Sequence, residues 1–123
     1  MNVNITKTKE YYQSLQDSLM CNCNYCRNYI LQIKSAYPKA ADYLLHLGID
    51  IEKPFETSPL EPDENGMLEY CCCQYIVFGE CEPEYIFHID DVEINISKFY
   101  PDTDIEEKHF VIELSPIKLK FLL

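Results

Sequence analysis

The run MLEYCCCQYIVFG, residues 67–79, constrains the fold more than any other stretch of the chain. Leu68, Tyr70 and Cys72 occupy one alternating set, and Met67, Cys71, Cys73, Tyr75 and Val77 the other. A strand here therefore carries apolar side chains on both faces, and only a central strand covered on both sides buries them. Strands able to pair with it follow directly. Tyr85, Phe87 and Ile89 set against Val92, Ile94 and Ile96 read as a hairpin around Asp90-Asp91, with Glu93 and Asn95 outward. After the polar stretch KFYPDTDIEEKH, the segments FVIELS and IKLKFLL supply one or two more strands, separated by Pro116.

The first half has a different period. After Asn24, an N-cap residue type, Cys26, Tyr29, Ile30, Ile33 and Tyr37 form one stripe of an amphipathic helix, which Pro38 stops. Proline suits the first turn of a second helix, whose apolar face (Ala40, Ala41, Leu44, Leu45, Leu47) runs to Gly48, with Ile49 placed to fold back on the end. Upstream, Tyr11, Tyr12, Leu15, Leu19 and Met20 have helical spacing behind a short strand around Val3 and Ile5. The segment DIEKPFETSPLEPDENG, with three prolines and the turn pair Asn65-Gly66, reads as a surface loop. Helices first and strands afterwards make one α+β domain over residues 1–123: a helical half at about 10–48, an acidic loop at 49–66 and a sheet half at 67–123. The helices are expected on one face of a mostly antiparallel sheet of about four to five strands.

Apolar residues make up 47% of the 123, enough for a real core but not for a second domain. No apolar run follows the opening lysines and none approaches the ~20 residues of a membrane span, so a cytoplasmic location is expected, with thiols reduced and no complete disulfide framework. Charge is uneven. Residues 49–113 hold three basic and eighteen acidic side chains, against five and three in residues 1–48, with two lysines after position 113. A field of that sign disfavours nucleic acid and anionic membrane, and leaves a basic protein as the expected partner; the plainer reading is a solubilising surface.

Three of the seven cysteines lie within CNCNYC, residues 21–26. A CxxC at a helix start meets N–H groups and a dipole that favour thiolate, which serves zinc binding and redox chemistry alike. Structural zinc needs about four ligands, so Cys23 and Cys26 would require a second pair, for which Cys71 and Cys73 are the candidates. Cys81 and the histidines His46, His88 and His109 are alternatives, and Cys21 is incidental on this reading. The competing reading is buried thiols, since cysteine behaves as a small hydrophobe. Redox catalysis has less support, because a thioredoxin-like CxxC follows a strand in a βαβ unit and this one opens a helical half.

Beyond a helix end, Asp50, Glu52, Lys53 and Glu56 are candidates for cation or partner contact, although they follow no EF-hand spacing. Among ten tyrosines, Tyr29 and Tyr37 fall on the core stripe, while Tyr11, Tyr12 and Tyr100 would suit an interface if exposed. Three glycines provide no phosphate-binding loop, and neither a nucleophile elbow nor HExxH is present. No catalytic residue is assigned.

The segments CNCNYCRNY, LGIDIEKPFE and YCCCQYIVFGE together resemble a family of small uncharacterised bacterial proteins with CxxCRN[YF] and LGIDxxKPxE motifs. The resemblance spans roughly residues 21–80 and places Cys23, Cys26, Arg27, Asn28, Gly48, Asp50, Lys53, Pro54 and Glu56 at motif positions. It implies no activity. The Cys71–Cys73 triplet lies outside the pattern. Three functions stay open: a non-enzymatic binding protein of the immunity or antitoxin kind, whose acidic half covers a basic partner; a zinc-stabilised domain; and a thiol-dependent redox protein.

Overall fold

In a computed structural model, which describes residues 1–16 and 21–123, the chain is an α+β domain. Its elements run β1 (Asn2–Val3), α1 (Ile5–Ser14), α2 (Asn24–Ala36), α3 (Pro38–His46), β2 (Glu56–Pro59), β3 (Met67–Glu80), β4 (Ile86–Ile89), β5 (Val92–Ile96), β6 (His109–Ser115) and β7 (Ile117–Lys120). Every strand pairing is antiparallel, in the order β1-β3-β6-β5-β4, with β2 and β7 also on β3. β3 is the central strand expected from its composition, and Cys73 to Phe78 are all buried. The helices cover one face: Tyr29, Ile33, Ala40 and Leu44 join Cys73, Tyr75, Val77, Ile94, Ile112 and Leu114 in the main core. On the other face Ile76, Phe78 and Val111 form a small cluster under Tyr11, Phe55 and Ile105.

Along β3 the core-facing set changes phase. Leu68 and Tyr70 are buried at its start and Cys73, Tyr75 and Val77 further on, an odd interval between two even-spaced runs. The neighbouring strands match it: Ile112 and Leu114 in β6 and Ile117 and Leu119 in β7 are the buried sets, on either side of a cis Ser115-Pro116 bond. On the opposite flank the register of β2 shifts at the same level, between Thr57 opposite Cys73 and Pro59 opposite Tyr70. A strand has a period of two, so inserting one residue into the phase carries every later side chain to the other face. This overturns the expectation that Cys71 and Cys73 share a face: Cys71 is exposed and Cys73 buried.

The sheet has seven strands rather than four to five. β1 is the short strand expected around Val3, only two residues long because α1 takes over from Ile5. β2 lies inside the segment read as a loop, its four residues hidden among prolines and acids. The first helix also starts earlier than expected, at Ile5, with Asn4 as N-cap accepting from the Lys7 N–H at 3.0 Å. Leu19 and Met20, expected on that helix, lie outside the described residues.

Both ends of α3 are closed by identifiable groups. At its C-terminus Ile49 N–H reaches Leu44 O and Gly48 N–H reaches Leu45 O, both at 2.9 Å, with Gly48 at φ +90°. This is the Schellman arrangement anticipated from Gly48 and Ile49. At its N-terminus the cap comes from far away: the Asp90 carboxylate, in the β4–β5 turn, accepts from the Ala40 N–H at 2.8 Å. Asp90 and Asp91 both have positive φ, as a two-residue type I′ hairpin requires. One aspartate thus serves the turn and the helix.

Candidate thiol site

The CNCNYC stretch is held by the helix it opens. Cys23, in an extended conformation, is the N-cap of α2, one residue before the expected Asn24, and its carbonyl accepts the Arg27 N–H at 2.9 Å. Tyr70 from β3 donates its hydroxyl to the Tyr25 carbonyl. One turn on, the fully buried Asn28 donates to Lys120 O and accepts from Leu122 N–H, each at 2.9 Å. The first turn of α2 is therefore fixed to the sheet at two levels.

On that turn the sulfurs of Cys21, Cys23 and Cys26 all lie within 4.8 Å of one another. Their environments differ. Cys21 and Cys23 are exposed, while Cys26 is half-buried with its Sγ 3.7 Å from Thr57 Oγ1 of β2. The backbone N–H groups of the first turn of α2, chiefly that of Cys26, lower the pKa of Cys23 below the ordinary thiol value. Burial pushes the Cys26 thiol up to about 12. Cys23 is thus the first of the pair to ionise and Cys26 the last.

The metal set expected from the sequence is corrected in two respects. Cys23 and Cys26 do come together, but their companion is Cys21, and among the described residues Cys71, Cys73 and the histidines do not join them. Cys73 is in the core facing the Tyr29 hydroxyl, its pKa raised by burial, and exposed Cys71 stands at the phase change of β3. His109 is held by Thr103 and the Glu107 carbonyl, and His46 by the Asp42 carbonyl. His88 sits on exposed β4 beside Glu93. The signal for Cys21 was present as C-x-C, but nothing in the spacing says how the chain before a helix turns.

Asp50, Glu52 and Lys53 line a cleft of about 750 Å³ between α1, α3 and the chain beyond Gly48, whereas Glu56 lies in β2. Their local roles are structural. Lys53 donates to the Tyr12 and Leu15 carbonyls at the end of α1, and Asp50 accepts the Glu52 N–H in an Asx turn. Tyr12, a candidate interface residue, is instead buried with its hydroxyl on Ile76 O at 2.8 Å. Tyr100 is exposed. No helix among the described residues is long and apolar enough to cross a membrane. Comparison with protein-family models, with curated proteins and with solved structures yields no match.

Proposed function

We propose that the chain binds a soft divalent metal of the zinc class through Cys21, Cys23 and Cys26. The observation that supports this is the mutual approach of three sulfurs within 4.8 Å. In a tetrahedral site with Zn–S near 2.3 Å, sulfurs stand about 3.8 Å apart, so the cluster needs a contraction of only about 1 Å. Cys21 and Cys23 are exposed, so water, a substrate group or a partner's side chain would have access to the fourth position. Metal supplies the positive charge that Cys26 needs to lose its proton, so binding releases protons and weakens as pH falls. Purified under reducing conditions, the protein is expected to carry about one zinc per chain by elemental analysis, and Cys23→Ser or Cys26→Ser to carry less than a tenth of that. A redox role uses the same pair. Wild-type protein that takes up no zinc in titration, yet forms a Cys23–Cys26 disulfide with oxidised glutathione, would replace the metal reading with that one.

A second reading, a binding protein for a basic partner, is supported by residues 80–107. They hold ten acidic side chains and one lysine, and they include the outermost strand β4, with Ile86 and Phe87 exposed. Apolar anchors inside an acidic rim suit a basic protein with an apolar contact patch, in the manner of an immunity or antitoxin-like factor. Such a complex is expected to assemble faster at low salt, and Phe87→Ser to speed its dissociation. A chain that elutes alone from native lysate at low ionic strength counts against it.

A further inference from the structure

The face of the sheet away from the helices carries a row of oxygen donors with no use in the fold. Gln74 on β3 stands directly opposite Glu113 on β6, and Glu113 opposite Asn95 on β5. Directly paired residues share a face, so the three side chains lie side by side across three strands, and Glu56 on β2, opposite Gln74 on its other side, extends the row as an exposed carboxylate at its edge. Gln74 is only 5% exposed, and its amide orientation is set by two donations, to Ser97 Oγ and Phe99 O, each at 2.9 Å. Its Oε1 is therefore turned away from both, and this oxygen is buried without a partner. So is Asn95 Oδ1. Between them, Glu113 takes part in no ion pair among the described residues.

An ionised carboxylate and two amide oxygens are all acceptors, and none can satisfy another. Buried oxygens of this kind are normally met by a donor, an ordered water or an ion. We propose that Gln74, Glu113 and Asn95 form a site for a hard, oxygen-seeking cation of the calcium or potassium kind, covered by the chain at 97–99. The Glu113 carboxylate with two neutral carbonyl oxygens is a hard donor set, with bound water completing the shell and the exposed Glu56 carboxylate adding negative charge at its edge. It has nothing in common with the soft thiol cluster, so each site can fail without the other.

The test uses the full chain, freed of metal by chelator and then returned to chelator-free buffer. Melting temperature is measured against calcium, magnesium and potassium, with choline chloride at equal ionic strength as the control. Calcium or potassium is expected to raise it saturably, and Glu113→Gln to abolish the rise. Asn95→Asp adds a second carboxylate and is expected to lower the half-saturating calcium concentration by about tenfold, since ligand charge tunes such affinities. A wild-type melting temperature that no ion raises above the choline control overturns the proposal. So does a rise that survives Glu113→Gln, which places the ion elsewhere, or an Asn95→Asp variant whose half-saturation is unchanged, as expected if water alone fills the row.

Discussion

Gly48→Ala is expected to cost about 3 kcal/mol of stability, and Gly66→Ala only about 1. Both glycines have a left-handed backbone, at φ +90° and +76°. They differ in what surrounds them. A Cβ on Gly48 would stand 2.7 Å from Ile5 O and 2.9 Å from Lys9 N, whereas one on Gly66 meets nothing within 4 Å. The first two contacts are with the backbone of α1, which cannot move aside as a flexible side chain does. Alanine therefore pays the conformational cost at both positions, and at Gly48 it must also push α1 off the end of α3. Denaturant unfolding at constant m-value measures the difference. Equal losses at the two sites would show that the close approach between these helices carries no energy.

Asn28→Ala should cost about 2 kcal/mol, because it removes a fully buried amide that bonds both Lys120 O and the Leu122 N–H, and leaves a small void. The same amide also holds Lys120 O and Gln32 Nε2, so one side chain joins α2 to the end of β7. Asn28→Asp keeps an acceptor for Leu122 but sets a second oxygen against the Lys120 carbonyl. At neutral pH it is expected to recover less than half of the loss. Hydrogen exchange at the Leu122 amide gives an independent readout, which should quicken in Asn28→Ala and less in Asn28→Asp, while the β3–β6 amides keep their order of protection. Unchanged exchange at Leu122 would remove the bond from the account of stability.

These two positions also show where the sequence was readable. Gly48 announced its role because a helix stripe ended on it and an isoleucine followed, a pattern whose meaning is local. The buried centre of β3 and the Asp90-Asp91 turn were readable for the same reason. Asn28 sits in a helix without any sign that its amide would meet a strand more than ninety positions downstream. Nor does Asp90 reveal that it caps α3, since the capping box looks three residues ahead and this contact spans fifty. The thiol site was half legible: helix spacing brought out Cys23 and Cys26, but Cys71 and Cys73 were assigned by strand alternation. That assignment failed at the one point where β3 departs from a period of two. β2 stays hidden in the sequence because its prolines and acids outweigh a four-residue pairing segment.

The docking of α2 has a consequence for the order of events during folding. Cys21, Cys23 and Cys26 come early in the chain, yet the helix that presents them is pinned by Lys120 and Leu122, across sequence separations of 92 and 94. β3, which supplies Tyr70 to the same turn, itself needs β6 and β7 to complete its pairing. Contacts of such range form late, after the entropy of closing long loops has been met. On a ribosome the three thiols emerge long before their platform exists, so the finished site reports that the chain through β7 has arrived.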